Sequence, residues 1–363
     1  MEEVAQVKPQ VSVVIPAFNE ASHIGRSLEE IWSYLSGVSG EYKWELVVVD
    51  DGSTDGTGDI VDQFAANHDQ VAVIHHPFNL NLGQALRSAF NRCRGDYVVT
   101  LDSDLSYSPE HVGLLLDTIR RTRAKVVIAS PYTKGGRTTA VPAIRRWLSK
   151  AANRFLALTA KGNLSTLTGM ARAYDRIFLS SLNLKAMDVE VNAEIIYKAQ
   201  LLRAQIVEIP AHLDWSRQTG EDAGEQRGSS IRFGRSIAAY AFSGFIFRPF
   251  MFFVVPGLVL LGLSLYTTGW VFAHIWEAYV DLRAAGSVTF SRAVGAAFDD
   301  FPHTFLVGGI SFIIAVQLIS LGILSVQSKR YFEELFHLGT SIYRRAAPLS
   351  TPPHPTIDPD GTG

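Results

Sequence analysis

Two aspartates separated by a single residue, Asp102 and Asp104, follow the apolar run of residues 97–101. Carboxylates at positions i and i+2 after a strand can both reach one divalent cation if the loop bends back. Mg²⁺ and Mn²⁺ prefer oxygen ligands, and Mg²⁺ commonly binds through few carboxylates together with substrate phosphates. The pair predicts a site for a metal-bound phosphate substrate, although the same pattern alone is frequent in solvated turns.

Apolar runs alternate with helix-like segments through the part of the chain that surrounds this pair. Strands are predicted at 11–15, 46–49, 71–74, 97–101, 126–129 and 206–210, and helices at 22–35, 56–67, 83–93 and 188–202. This alternation predicts an α/β fold with a mostly parallel sheet. Ligands of such sheets bind at the carboxyl ends of the strands, where Asn19-Glu20, Asp50-Asp51 and the Asp102/Asp104 pair lie.

Charge and cysteine content narrow the class of protein. The net charge of −2 gives no indication of a nucleic-acid partner. The single cysteine, Cys93, cannot form an internal disulfide, which fits a reducing compartment. The N-terminus lacks the basic and apolar regions of a signal peptide, so we expect the catalytic part, residues 1–227, to remain in the cytoplasm.

Two long apolar runs without charged residues, 249–272 and 304–326, occupy the C-terminal third of the chain. About 20 apolar residues suffice for a helix to cross a bilayer. Buried core helices of a soluble protein are the alternative, and they seldom run this long without a charge. The sequence predicts transmembrane helices at 247–273 and 304–327.

The segments that flank these runs predict the orientation. The connection 274–303 is net acidic, and the tail 328–363 is basic near the second run, so the positive-inside rule places the connection outside and the tail in the cytoplasm. We therefore expect a multi-pass protein of the cell (plasma) membrane. Residues 228–246 predict an amphipathic juxtamembrane helix, or simply the first turns of the span. The Pro/Gly-rich end of the tail is predicted to be disordered.

Three motifs resemble those of the family 2 glycosyltransferases in order, spacing and residue type. They are residues 14–20 (Val-Ile-Pro-Ala-Phe-Asn-Glu), 47–55 (Val-Val-Val-Asp-Asp-Gly-Ser-Thr-Asp) and 101–105 (Leu-Asp-Ser-Asp-Leu). Residues 79–85 also fit an Asn-x-Gly-x-Gly-x-Ala segment of the family, with Asn81 in place of the first glycine. The resemblance covers about residues 10–215 and implies a GT-A nucleotide-sugar fold.

The resemblance also implies a donor site for a GDP- or UDP-linked sugar. Carboxylates there can accept hydrogen bonds from ribose hydroxyls or a base N–H, although Asp50 is equally well placed only to fix its loop. Carried over by position, the base and ribose pocket comprises Pro16, Phe18, Glu20, Asp50 and Asp51. Asp102, Ser103 and Asp104 would hold the diphosphate, with Mg²⁺ or Mn²⁺ bound to Asp102 and Asp104.

Two spans after the catalytic domain resemble the polyprenyl-phosphate glycosyltransferases, relatives of dolichyl-phosphate mannose synthase. Residues 145–154 resemble their phosphate-binding helix, in which Arg145, Arg146 and Ser149 can donate charge-assisted hydrogen bonds to a lipid phosphate. Arg137 or Lys134 is a further candidate, because Pro131 replaces a basic residue of the family. The alternative is a basic face held at the anionic leaflet without specific contact.

Further candidates lie between the acidic pair and the membrane. Asp188, Glu190 and Glu194 are carboxylates that could face the sugar, or a charged surface of the protein. Arg217 and Arg227 lie in a polar loop that could close over the diphosphate. We expect Asp104, Asp188, Glu194 and Arg217 to act in catalysis and Arg227 to bind the donor.

These features predict an inverting, metal-dependent transfer of a sugar to a polyprenyl phosphate of the dolichyl or undecaprenyl type. A phosphate oxygen is anionic near neutral pH and needs little help from a general base. Transfer to another lipid acceptor, a polysaccharide synthase and a non-catalytic scaffold remain alternatives. The sugar and the nucleotide stay open, as does assembly into a homo-oligomer.

Overall fold

The structure is a computed structural model that describes residues 10–142, 146, 164–167, 169–216, 249–284, 286 and 289–346. The chain divides into two compact units. The first unit comprises Met1–Ala157, Lys161–Arg227 and Glu333–Gly363. The second comprises Leu158–Ala160 and Gly228–Phe332.

A seven-stranded sheet forms the centre of the first unit, with strand order β3-β2-β1-β4-β7-β5-β8. The antiparallel β7 lies between β4 and β5, and the other neighbours are parallel. The strands of this sheet are β1 (Gln10–Ala17), β2 (Lys43–Asp50), β3 (Val71–His75), β4 (Tyr97–Thr100), β5 (Val126–Ser130), β7 (Arg172–Asp175) and β8 (Ile206–Pro210). A separate parallel pair consists of β6 (Arg137–Thr139) and β9 (His212–Asp214).

The sequence predicts four of the helices that connect these strands, those at 22–35, 56–67, 83–93 and 188–202. The described residues form six. They are α1 (Ile24–Gly37), α2 (Thr57–Ala66), α3 (Leu82–Arg92), α4 (Glu110–Thr122), α5 (Arg176–Ser181) and α6 (Val191–Leu201). In α1 the buried residues Ile24, Leu28, Ile31 and Leu35 recur at the spacing of one helix face. This apolar face packs into the core that it shares with Val13, Ile15, Leu46 and Val48 of the central strands.

The apolar runs of β1 and β2 show why the sheet forms in this register. Val47, Val48 and Val49 are consecutive and all fully buried, as expected for a parallel strand covered on both faces. The mostly parallel α/β sheet confirms the predicted fold class. Strand β7 was not predicted, because its four residues, Arg-Ala-Tyr-Asp, show neither an apolar run nor a repeated alternation.

Three helices make up the described part of the second unit: α7 (Pro249–Ala284), α8 (Phe290–Asp300) and α9 (Pro302–Ala346). Helix α9 begins in this unit, and its residues from Glu333 onward belong to the first unit. Phe250–Ala284 and Pro302–Ile342 are long and apolar enough to cross a membrane. Only 11% and 22% of their most apolar stretches are buried, which does not fit core helices of a soluble protein. The predicted connection 274–303 is largely helical, because it contains the end of α7 and all of α8. Charged residues end an apolar run without ending the hydrogen bonding of a helix.

Small residues lie where α7 meets α9. Ser264 Oγ donates a hydrogen bond of 3.0 Å to the carbonyl of Gly308. A Cβ at Gly322 would lie 2.5 Å from Val254 Cγ2, and one at Gly257 would lie 2.9 Å from Ile319 Cγ1. Close approach of this kind is the usual packing of helices in lipid, where small residues bring the backbones together.

Candidate active site

The chain changes direction in the sheet at β1. It passes from β1 through β2 to β3 on one side and then returns to place β4 on the other. Such a switch point leaves a crevice outside the carboxyl ends of the two diverging strands, which is where open α/β sheets bind ligands. The loop with Phe18 and Glu20 follows β1, and Asp102 and Asp104 follow β4. The sheet therefore brings the three predicted motifs to one edge.

Hydrogen bonds fasten the loops after β1 and β2 to each other. Asn19 N donates to Ser53 Oγ at 2.9 Å, and Thr54 N donates to Asn19 Oδ1 at 2.9 Å. Glu20 N donates to Thr57 Oγ1 at 2.8 Å. Asn19 has a φ of 55°, a left-handed conformation that asparagine tolerates better than most residues. The half-buried Pro16 and Phe18 belong to the same edge.

The two adjacent aspartates at the end of β2 have different partners. Asp50 uses both oxygens within the protein: Oδ1 accepts from Ser53 N at 3.0 Å, and Oδ2 lies 3.0 Å from His75 Nδ1. These contacts are those of a carboxylate that fixes its loop, which was one of the two expectations for Asp50. Asp51 accepts two hydrogen bonds on Oδ1, from His76 Nδ1 at 2.6 Å and Leu80 N at 2.9 Å.

The carboxylates after β4 repel one another. Burial raises the pKa of Asp102 to about 8, and the negative charges of Asp104 and Glu20 add to the rise. Asp104 Oδ1 accepts from Ser106 N at 2.8 Å and from Ser106 Oγ at 2.7 Å, which fixes the turn. Ser103, between the aspartates, is buried. A cation bound here would therefore favour the ionised form of Asp102 and compensate the charge of both aspartates.

A divalent cation fits the chemistry of this donor set. In the described part of the chain, no group of three or more His, Cys, Asp or Glu side chains is arranged to hold a metal ion. Two carboxylates together with oxygens of a bound ligand are a donor set that Mg²⁺ commonly accepts, and Asp102 and Asp104 would supply the two. The raised pKa of Asp102 has the sign expected of a carboxylate whose counter-charge comes from such an ion.

The segment before α6 carries Asp188 and Glu190, two of the carboxylates that were candidates to face the sugar. Its backbone contacts the start of α3, since Gly83 N donates to Met187 O at 2.9 Å. A Cβ at Gly83 would lie 2.4 Å from Ala186 O, so this approach requires glycine. Asp188 and Glu190 are half-buried beside this contact.

Glu194 has structural contacts instead of an open carboxylate. Its oxygens accept hydrogen bonds from Lys185 N at 3.0 Å and Ala186 N at 2.8 Å, and Lys198 Nζ lies 2.6 Å from Oε1. A carboxylate held by two backbone N–H groups and a buried ammonium is committed to the turn before α6. These contacts do not support the expected catalytic role of Glu194.

Two charged residues that were not among the predicted site residues shape the loop before β7. Arg172 is fully buried, and it donates to the carbonyls of Gly169, Asn192 and Leu167 at 2.7, 2.8 and 2.6 Å. Burial lowers the pKa of Arg172, but the three carbonyls satisfy its donors. Glu208 accepts from Ser165 N at 2.9 Å and Thr166 N at 2.8 Å. The sequence signal that could have identified Glu208 is its charge, which interrupts the otherwise apolar strand predicted at 206–210.

The acceptor and loop candidates are only partly covered by the described residues. Arg145, Ser149, Arg217 and Arg227 lie outside them. Arg146 is exposed, and its N–H donates to Pro142 O at 2.9 Å. Arg137 is exposed at the start of β6.

A cavity of about 550 Å³ lies elsewhere in the first unit, between α3, α5 and the end of α9. Its lining includes Arg87, Phe90, Ser181, Leu335 and Phe336. None of the predicted carboxylates borders it, so volume alone does not locate the chemistry in this protein.

A mostly parallel sheet with these motifs at its carboxyl edge is the GT-A arrangement of nucleotide-sugar glycosyltransferases. Residues 12–182 match the model of the glycosyl transferase family 2. A polyprenol monophosphomannose synthase from Mycolicibacterium smegmatis is 30% identical over 240 residues, 64% of this chain and 87% of that protein. An undecaprenyl-phosphate mannosyltransferase from Micrococcus luteus is 29% identical over 236 residues, 62% of this chain and 94% of that protein. The chain belongs to glycosyl transferase family 2 and is a glycosyltransferase.

Solved structures with a similar course of the chain include two sugar transferases. Glucosyl-3-phosphoglycerate synthase from Mycobacterium tuberculosis superposes with a TM-score of 0.47 at 22% identity, covering 65% of this chain and 80% of that one. A mannosyltransferase from Pyrobaculum calidifontis gives 0.43 at 15% identity, covering 94% and 88%. At these scores the two structures add nothing to the family assignment.

Proposed function

We propose that this protein transfers a sugar, with inversion, from a GDP- or UDP-linked donor to a polyprenyl phosphate at the cytoplasmic face of the cell membrane. The observation that carries the proposal is one chain that joins the carboxylate edge to two helices long and apolar enough to cross a membrane. The names of the relatives from M. smegmatis and M. luteus, which refer to polyprenol phosphomannose and undecaprenyl phosphate, support this acceptor class.

The donor occupies the edge between the ends of β2, β1 and β4 in this proposal. Asp51 and Glu20 accept hydrogen bonds from the nucleoside, and Pro16 and Phe18 border it. The diphosphate lies at Ser103, Asp102 and Asp104. A divalent cation bound to the two aspartates would neutralise charge on the leaving diphosphate. Arg217 and Arg227 belong to the loop that closes over the same group.

The acceptor supplies the nucleophile. One oxygen of the lipid phosphate attacks the anomeric carbon while the bond from that carbon to the donor diphosphate breaks. The nucleoside diphosphate leaves with the electron pair, and the configuration inverts. No proton needs to be removed from an ionised phosphate, so Asp188 acts by orienting the sugar rather than as a general base.

Product analysis tests this function. The full chain in detergent micelles is given short prenyl phosphates and a panel of GDP- and UDP-sugars, with and without Mg²⁺ or Mn²⁺. We expect an acid-labile prenyl phosphosugar in the presence of the metal. An acid-stable glycolipid would instead favour a lipid hydroxyl as acceptor, and a long polymer would favour a polysaccharide synthase. Either product would overturn the proposal.

Arg145 and Arg146 offer a matched pair for the acceptor. The four-residue spacing of Arg145 and Ser149 places both on one face of the predicted helix, whereas Arg146 points about 100° away. Arg145→Ala is expected to raise the apparent KM for prenyl phosphate roughly ten- to a hundredfold, because a charge-assisted bond contributes about 1.5–3 kcal/mol. Arg146→Ala should have a smaller effect. Equal losses for donor and acceptor would indicate general membrane docking.

A further inference from the structure

Two consecutive Asp–His pairs join the ends of β2 and β3. Asp50 lies opposite His75 in the strand register, and His75 Nδ1 is 3.0 Å from Asp50 Oδ2. The next residues repeat the pairing, since His76 Nδ1 is 2.6 Å from Asp51 Oδ1. Successive side chains of a strand point to opposite faces, so the two pairs lie on opposite faces of the sheet.

The His75 pair faces α2. His75 Nε2 lies 3.0 Å from Asp62 Oδ1, and the His75 side chain is 42% exposed. Because Ser53 N occupies the other oxygen of Asp50, the whole pair is used within the protein. It braces β3 against α2, and each oxygen of Asp50 already has a partner within the protein.

The pair of His76 and Asp51 is buried on the opposite face of the sheet. The side chains of His76 and Asp51 are only 7% and 5% exposed, and His76 Nε2 lies 2.9 Å from Ser88 Oγ on α3. A carboxylate accepts hydrogen bonds, so Nδ1 carries the proton. Nε2 faces the Ser88 hydroxyl, which can either donate to it or accept from it. One imidazole thus connects Asp51 to α3.

These contacts leave one oxygen of Asp51 open. His76 and Leu80 N both donate to Oδ1, whereas Oδ2 has no hydrogen-bond partner among the described residues. A nearly buried carboxylate is costly unless its oxygens are hydrogen-bonded. Its ring partner and the Leu80 amide fix its rotation, so Oδ2 is held in one direction at the carboxyl edge of the sheet.

We propose that His76 is a positioning residue for donor recognition. It fixes the Asp51 carboxylate so that Oδ2 accepts a hydrogen bond from an N–H or O–H of the donor nucleoside. The inference rests on the proposed function, since it takes a nucleoside diphosphate as the ligand. Ser88 holds the outer edge of the ring and thereby ties recognition to α3.

Two isosteric amides separate the roles of the two ring nitrogens. In His76→Asn the side-chain amide takes the place of Nδ1–H and can still donate to Asp51. In His76→Gln the amide takes the place of Nε2 and reaches Ser88 but not Asp51. Binding of UDP and GDP to the full chain in detergent is measured by calorimetry, and donor KM and kcat are measured separately. His75→Gln is the matched control on the other face.

We expect His76→Gln to weaken nucleoside diphosphate binding and raise donor KM roughly tenfold or more, with kcat and acceptor KM nearly unchanged. His76→Asn should keep most of the affinity, and His75→Gln should bind as the parent does. Equal binding by both His76 variants and the parent would overturn the positioning role, as would equal weakening by both. If the parent protein binds neither UDP nor GDP, the proposed function itself fails, whatever the variants do.

Discussion

At the scale of single residues, Asp104 is the sharpest test of the acidic edge. Asp104 is half-buried and its carboxylate accepts from Ser106 within the turn after β4, so its removal should leave the apolar core intact. We expect Asp104→Ala to remain folded and membrane-bound while losing more than tenfold in turnover, about 1.4 kcal/mol of barrier. Ser106→Ala keeps the backbone donor and should lose less. Full activity of the parent protein in excess chelator would contradict metal assistance.

Asn81 stands where the family resemblance has glycine, and its backbone shows why. Its φ of 69° and ψ of 165° fall in a region that is essentially restricted to glycine. Relief of this strain should outweigh the added freedom of the unfolded chain, so Asn81→Gly is expected to stabilise the protein by about 1 kcal/mol. Denaturant unfolding of the full chain in detergent measures the change. A loss of stability would mean that the Asn81 side chain has an essential contact.

At the scale of elements, the His75 pair makes the link between β3 and α2 depend on pH. Burial lowers the pKa of His75, but the hydrogen bonds to Asp50 and Asp62 outweigh it and hold the pKa above its ordinary value of 6.5. A raised folded-state pKa stabilises the protein fully below the unfolded-state value, and this contribution is lost as the pH rises through the folded-state pKa.

We expect a difference in melting temperature between the parent protein and His75→Gln that becomes smaller as the pH rises. The melting temperature of the parent protein should exceed that of His75→Gln most clearly below about pH 6, and the gap should narrow from the ordinary histidine pKa upward. Thermal scans of both proteins across this range measure it, and subtraction cancels groups common to both. A gap that widens with rising pH would show that the ring is held neutral.

The contact between α7 and α9 predicts a second difference at this scale. A larger side chain at Gly322 would collide with Val254, whereas a Cβ at Gly309 meets nothing within 4 Å. We expect Gly322→Leu to destabilise the helix pair by about 1–3 kcal/mol, the usual cost of overpacking, and Gly309→Leu to be tolerated. Unfolding in graded mixtures of mild and denaturing detergent compares them. Equal effects would mean that the two helices do not pack through Gly322 in the membrane.

At the scale of the whole molecule, the end of α9 constrains the topology. Tyr197 Oη donates a bond of 3.4 Å to Glu333 Oε1, and Lys198 Nζ lies 5.4 Å from the centre of the Phe336 ring. These residues belong to the first unit together with the catalytic sheet. The C-terminal part of α9 therefore belongs to the same compact unit as the sheet, which fits the proposed topology with both on one side of a membrane.

A reporter fused after Arg345 tests this topology. We expect it to behave as cytoplasmic, and a reporter at the N-terminus should give the same result, because two crossings would return the chain to its starting side. Activity of the C-terminal reporter outside the cell, with the N-terminal one inside, would mean a single crossing. Phe336→Ala should leave the orientation unchanged, because the apolar helices and their flanking charges determine insertion.

The sequence by itself determined which edge of the sheet carries the proposed site. Apolar runs and turn residues are local signals, and parallel strands bring their carboxyl ends to one edge, so the order of residues is enough to locate Asp51, Asp102 and Asp104. The long apolar helices were equally readable, because a run of about 20 apolar residues is itself a local signal. Their true ends were not, since α8 and the last turns of α7 and α9 depend on helix hydrogen bonding and packing rather than hydropathy.

Only the tertiary structure decided which carboxylates are open to a ligand. Asp50 and Glu194 resemble Asp51 and Asp188 in the sequence, yet their oxygens are occupied by His75, Ser53, Lys198 and backbone amides. The sequence likewise did not reveal three further contacts. They are the place of Arg172 in an antiparallel strand, the anchoring of the neighbouring loop by Glu208, and the link from Asp51 through His76 to Ser88. The physical reason is the same in each case: hydrogen-bond partners far apart in the chain meet only when the sheet and its helices pack, and no local pattern records that meeting.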